Sequence, residues 1–290
     1  MNPIKDHFVQ LLAAVKTERE EDRAQYNEKM MYSSFQERKD QGICWYPVMI
    51  TKSYLGTGER IVIQVEKTQQ EQQKHVFQPG TSVSLFVNSG SKKLKSTAGV
   101  ISQIRDSKMK IILNGEEEPE WISEGKLGVN LLFDESTYEE MESTLRKLID
   151  QKEARVLELG KILLGDQPAF FGKDTHKIDY PGLNDSQSFA VGNILTANDA
   201  CIVHGPPGTG KTTTLVRAIT EVVALEKQVL VTAPSNAAVD LLVEKLAENG
   251  LNVVRIGHPA RVTQNVVENS LDARIAAHPD FKELKNIRKK

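Results

Sequence analysis

From Ile4 to about Lys39 apolar residues recur at three- and four-residue spacing. Phe8, Leu11, Leu12 and Val15 form one stripe, and Tyr26, Met30 and Phe35 carry apolar positions onward through charged surroundings. The pattern predicts one long helix, or two in line, over residues 1–40, either a projecting stalk or a packed helix with a solvated face. Between Gln41 and Glu135 the period falls to two. Tyr46–Ile50, Arg60–Val65, Ser82–Val87, Gly99–Ile104, Lys108–Leu113 and Val129–Phe133 are short β-branched or alternating runs, parted by turn signals such as Leu55-Gly56-Thr57-Gly58 and Asn114-Gly115. Six such strands predict a small barrel or sandwich over 41–135. A second amphipathic helix is expected over 136–165, with Met141, Leu145, Leu148 and Ile149 on one face. Helices on both sides of the β block suggest an inserted barrel carried on an antiparallel helix pair.

A turn-rich linker from Gly165 to Gly182 leads into a different grammar. Ala200–Val203, Gln228–Thr232 and Asn252–Ile256 are short apolar strand runs, and Thr212–Leu225 and Asn236–Asn249 between them have helical spacing. Strand, helix, strand, helix, strand predicts the start of a parallel α/β sheet over 166–265. Residues 266–290 turn helical, and there the sheet stops being built.

Composition narrows the class. With 37 Lys+Arg against 39 Asp+Glu in 290 residues and 39% hydrophobic content, the chain is neither disordered nor collagen-like. At about 100–200 residues per domain the length suggests two domains. A net charge of −2 means that any contact with nucleic acid must come from a local patch. Cys44 and Cys201 stand far apart without partners at ligand spacing, which fits reduced thiols in a cytoplasmic protein. No apolar run approaches the ~18–20 residues of a membrane helix, and the first residues lack a signal-peptide core. No membrane association is expected.

The strongest chemical signal is Gly205-Pro206-Pro207-Gly208-Thr209-Gly210-Lys211-Thr212, a complete G-x-x-x-x-G-K-[ST] phosphate loop between an apolar strand and a helix. The glycines allow backbone N–H groups to converge on phosphate oxygens, and the helix N-terminus adds positive potential at the same point. Lys211 should reach the β- and γ-phosphates of ATP, and the Thr212 hydroxyl should ligate Mg²⁺. Thr213 is counted with the nucleotide-binding residues.

The flanks decide which nucleotide-driven machine this is. Leu183-Asn184-Asp185-Ser186-Gln187 upstream, the loop continued as Lys211-Thr212-Thr213-Thr214, and Ala233-Pro234-Ser235-Asn236-Ala237-Ala238-Val239-Asp240 downstream resemble the Q motif, motif I and motif Ia of superfamily 1 helicases. The branch they look most like holds the nonsense-mediated-decay helicase and immunoglobulin mu-binding protein 2. Val254-Arg255-Ile256-Gly257-His258-Pro259-Ala260-Arg261-Val262 is similar to the segment after motif Ia in the latter group. The resemblance implies an α/β fold, with a P-loop RecA-like parallel sheet, incomplete here, preceded by a small β-barrel on a helical stalk. It further implies a monomeric ATP-dependent helicase moving 5′ to 3′ on single-stranded DNA or RNA. Gln187 would then hydrogen-bond the adenine edge, although it also fits an exposed helix-start glutamine after the capping Asp185-Ser186. Pro234, Ser235 and Asn236 would contact the single strand, although Ser235 fits a plain N-cap and Asp240 a structural group.

Other candidates keep two readings. His258 is a functional or an ordinary packing histidine. Trp45, Tyr46, Tyr54 and Phe86 near Lys52, Arg60, Lys92, Lys93 and Lys95 form a stacking surface for a single strand or a core with a solvated face. Asn130-Leu131-Leu132-Phe133-Asp134-Glu135 imitates a Walker B strand but stands before the phosphate loop, on the wrong side for a helicase. No apolar strand ending in Asp-Glu follows Asp240, and transfer-stabilising arginines cannot be assigned. The expectation is therefore the N-terminal part of a longer enzyme, with little hydrolysis by itself. The competing classes are a non-catalytic single-strand-binding module with a vestigial loop, and an AAA-type ATPase, which the loop alone favours and its flanks do not.

Overall fold

The six segments of strand periodicity close on themselves. The structure, a computed structural model, describes residues 3–69, 74–90, 94–115, 117–172 and 179–281. The chain divides into two units, Met1–Glu18 with Ser136–Val253, and Arg19–Glu135 with Val254–Lys290.

In the second unit β1 (Cys44–Leu55), β2 (Ile61–Lys67), β3 (Ser82–Asn88), β4 (Lys95–Arg105), β5 (Lys108–Leu113) and β6 (Lys126–Leu131) pair antiparallel in the closed order β1-β2-β5-β4-β3-β6. Alternation decides what goes inside: Ile61, Ile63 and Val65, then Val83, Leu85 and Val87, then Met109, Ile111 and Leu113 fill one core. Each such side chain contributes about 1.5–3 kcal/mol by leaving water. Closure also gives every strand two neighbours, so that no main-chain edge is left over.

Two runs break the alternation, Ile61-Val62-Ile63 and Ile111-Ile112-Leu113, and the reason lies outside the barrel. Val62 pairs with Ile112, which pairs with Val100, and these three outward side chains form a second buried cluster with Ala260. Ala260 sits on a 3-10 turn at Pro259–Arg261, and the Arg261 guanidinium ties that turn down through Asp134 at 2.8 Å and Ser82 at 3.1 Å. The segment after Val253 thus packs on the barrel unit. Its Arg255 is buried and makes one parallel bridge with Ser270, which is all the pairing shown for the stretch expected as a third sheet strand.

The N-terminal helical stretch is two helices. α1 (Pro3–Met31) stops short of Ser34, whose hydroxyl accepts the Glu37 N–H while the Glu37 carboxylate accepts the Ser34 N–H. This capping box starts α2 (Phe35–Asp40). The helix expected over 136–165 is likewise split into α3 (Ser136–Asp150) and α4 (Ala154–Leu163). Between them the Gln151 side-chain carbonyl accepts the N–H groups of Lys152 and Glu153, competing with the helical ladder.

In the first unit α5 (Asp185–Thr196), α6 (Lys211–Leu225) and α7 (Asn236–Glu248) form, and no named strand accompanies them among the described residues. Among the described residues every named strand belongs to the barrel, and 200–203 and 228–232 carry no ladder. Strand character survives in the side chains. Val229, Val231, Leu251 and Val253 pack on Val216 and Ile219 of α6 and Leu242 and Leu246 of α7, whereas Ile202 and Leu230 are 85% and 83% exposed. These segments have helices on one side and no described strand beside them, and a strand without a neighbour has nothing to pair its N–H and C=O groups with.

On the barrel, Phe35 of α2 stacks on Tyr46 at 4.5 Å between centroids and on Phe86 at 5.6 Å. Gly128 lies under this group, and a Cβ there would stand 2.3 Å from Phe86 Cζ and 2.9 Å from Tyr46 Cδ2. Gly128→Ala is expected to cost about 1–3 kcal/mol, the usual penalty for overpacking, read as a lowered melting temperature of the barrel unit.

Candidate nucleotide-binding loop

The phosphate loop is set by backbone geometry. Gly208 and Gly210 have φ of +82° and +79°, the left-handed region where a side chain is strained. Gly210 is the N-cap of α6 and offers no capping side chain, so the first N–H groups of a fifteen-residue helix stay available to an anion. The helix is anchored behind the loop, with Val216 and Ile219 against α7, and Ala218 buried with Tyr180 and Val191. Lys211 Nζ donates to the loop's own carbonyls, Gly205 O at 2.5 Å and Pro206 O at 2.9 Å. Thr209 Oγ1 also donates to Pro206 O, at 2.9 Å. Pro206, Pro207, Gly208 and Thr209 are exposed, as are Thr212 and Thr213, whose hydroxyls stand at the start of α6.

Gln187 reaches this loop. Its Nε2 donates to the Thr209 carbonyl at 3.0 Å, and its Oε1 accepts the Asn184 N–H at 3.0 Å. Asn184 Oδ1 in turn accepts the Gln187 N–H at 2.9 Å, so the cap of α5 is Asn184 in a full capping box rather than Asp185-Ser186. Sequence reasoning missed Asn184, although an Asx residue three places before a Gln is the capping-box signature. The two bonds orient the Gln187 amide and leave it one N–H and one lone pair. Glycine at 210 is what allows the approach, since a Cβ there would lie 2.5 Å from Gln187 Nε2.

Of the downstream candidates, Pro234, Ser235 and Asn236 are exposed at the start of α7. Ser235 is its N-cap, its hydroxyl accepting the Ala238 N–H at 3.2 Å, and Asp240 is buried on the same helix.

In the barrel unit His258 is a cap as well, its Nδ1 accepting the Ala260 N–H at 3.2 Å. Burial lowers its pKa from the ordinary 6.5, Arg60 and then Arg261 lower it further, and Asp272 opposes them. The supposed stacking surface does not form: Trp45 and Phe86 are 2% and 1% exposed, and Tyr46 is stacked against Phe35 and Phe86. Core packing won because both side chains point into apolar layers. Tyr54 is exposed and Lys95 pairs with Glu124 at 2.6 Å, whereas Lys92 and Lys93 lie outside the described residues. In the Walker B look-alike, Asp134 holds Arg261 at 2.8 Å and Glu135 holds Arg19 at 2.5 Å and Arg23 at 3.3 Å. Both carboxylates serve the barrel unit.

A family described as an AAA domain matches residues 182–290. The chain is 33% identical to the DNA polymerase alpha-associated DNA helicase A of Schizosaccharomyces pombe, over 75% of its own length and 35% of the relative's. It is 29% identical to the DNA-binding protein SMUBP-2 of Rattus norvegicus, over 99% of its own length and 30% of the relative's. A regulator of nonsense transcripts 1 homolog from Neurospora crassa is 38% identical over 40% of the chain and 11% of the relative. The chain spans about a third of the length of the first two. No helix among the described residues is long and apolar enough to cross a membrane.

Gly210→Ala should abolish binding of a fluorescent ATP analogue and cost about 1–2 kcal/mol of stability, from the left-handed backbone and the clash with Gln187. Binding titration and melting together check this. His258, neutral when buried, contributes stability that is full above its unfolded pKa near 6.5 and is lost as pH falls toward its lower folded value. His258→Gln should therefore flatten the acid side of the stability curve below about pH 6.5, measured by denaturant unfolding across pH.

Proposed function

We propose that this chain, a homologue of the superfamily 1 helicases with an AAA domain at residues 182–290, supplies the adenine- and phosphate-binding half of an ATP-dependent helicase acting on single-stranded nucleic acid. The observation that carries the reading is the bond from Gln187 to the Thr209 carbonyl, which joins a base-reading amide to a phosphate loop. Gln187 holds the adenine edge with its remaining donor and acceptor. The N–H groups of Gly208, Thr209, Gly210 and Lys211 hold phosphate oxygens, Lys211 Nζ leaves the Gly205 and Pro206 carbonyls to pair with them, and Gly205, Pro206 and Pro207 shape the turn. Thr212 supplies a hydroxyl for Mg²⁺, and Thr213 stands beside it. Bound magnesium-ATP provides the free energy of phosphoryl transfer.

Pro234, Ser235 and Asn236 contact the strand backbone, and translocation runs 5′ to 3′. The apolar segments 200–203 and 228–232 belong to a RecA-like sheet, with Val229 and Val231 facing its helices. Residues 1–290 alone turn ATP over weakly, since an Asp-Glu pair after the loop and transfer-stabilising arginines are not assigned among them.

Lys211→Ala should weaken fluorescent ATP binding at least tenfold, and single-strand binding should persist with a steep salt slope. Equal nucleotide binding by parent and variant sinks the proposal. Strand binding with no nucleotide binding by either favours the non-catalytic module.

A further inference from the structure

The helix that carries Gln187 and the stretch that enters the phosphate loop form the two arms of a hairpin. From Gln187 to Thr196 α5 rises about 14 Å at 1.5 Å per residue. The chain bends at Asn198 and Asp199, and residues 200–204 then bring it back to Gly205. Five residues cover that distance when extended at about 3.3 Å each, whereas as a helix they would fall well short. At the open end of the hairpin the Gln187 amide bonds the Thr209 carbonyl at 3.0 Å.

The bend is held from two sides. Residues 170–172 lie antiparallel to it: the Gly172 N–H donates to the Thr196 carbonyl at 2.6 Å, Phe171 bridges Ala197, and the Asn198 N–H donates to the Phe170 carbonyl at 3.0 Å. Asp199 completes the set. One of its carboxylate oxygens accepts the Phe170 N–H at 2.6 Å, and the other accepts Nη2 of Arg155, on α4, at 2.6 Å. Nη2 also reaches the Asn198 carbonyl at 3.3 Å, and Nη1 holds Glu158 at 2.8 Å, so the guanidinium is oriented where it meets Asp199. The Asp199 side chain is 7% exposed. The Phe170 N–H, and then Arg155, hold its carboxyl below the ordinary carboxylate pKa, so it is ionised at neutral pH and both bonds are charge-assisted.

We propose that Asp199 is a positioning residue for base recognition: with Arg155 it fixes where the returning arm starts, and so the register of the Thr209 carbonyl against the Gln187 amide. A slip of about 0.6 Å along that arm would stretch the Gln187 bond beyond hydrogen-bonding range. Because Arg155 belongs to α4, a displacement of that helix reaches the base contact by the same route. Asp199 acts here through Gln187, so this role rests on Gln187 being the adenine contact.

Fluorescent ATP and GTP analogues are titrated into residues 1–290 and its variants, and the ratio of the two dissociation constants gives the preference for adenine. Gln187→Ala should lower that preference about tenfold. Asp199→Asn, which keeps an oxygen for the Phe170 N–H and loses the ion pair, should lower it about fivefold, as should Arg155→Gln. Arg155→Lys, which keeps a charged donor without the fork, should fall between Arg155→Gln and the parent. In the Gln187→Ala background Asp199→Asn should change the preference no further. A residue that only stabilises the fold weakens both nucleotides alike, so equal loss of ATP and GTP binding in Asp199→Asn overturns the proposal. If Gln187→Ala leaves the preference unchanged, the adenine reading fails and this role falls with it. If Gln187→Ala lowers the preference and Asp199→Asn does not, the adenine reading stands and this role alone is overturned.

Discussion

Position 210 must be glycine for two reasons that act at one point. The backbone turns there through φ +79° to begin α6, and the Gln187 amide occupies the space a side chain would take. Because both are met, the helix N-terminus opens toward the loop, Lys211 rests on loop carbonyls, and the Asn184 cap holds Gln187 across the Thr209 carbonyl. The Gln187 amide and the loop are thereby mechanically one unit. A change at any of the three places would be felt at the other two, since the Gln187 amide is shared among them.

The two units answer the same backbone requirement in opposite ways. Every buried N–H and C=O needs a partner, and the barrel meets this by closure, with each of six strands paired on both sides. Apolar runs in the other unit cover one face with α6 and α7 and leave Ile202 and Leu230 in water.

Charge is spent locally. Three arginines are engaged in the barrel unit: Arg19 and Arg23 with Glu135, and Arg261 with Asp134. A net charge of −2 hides this arrangement.

Much that depends on short sequence distances could be read from the chain alone. Six alternating runs specified six strands, because period two dictates which side chains share a face. The loop and the Gln187 helix start were readable because phosphate chemistry requires glycines and lysine at fixed spacing. Contacts between distant residues were beyond its reach. Only the tertiary structure brought Ala260 onto Val62, Val100 and Ile112, buried Trp45 and Phe86, and tied Asp134 to Arg261. It also showed apolar runs without strand partners among the described residues. The physical reason is the range of the information: periodicity and motif spacing record a residue's own conformational needs, whereas burial and pairing depend on what the rest of the chain places beside it.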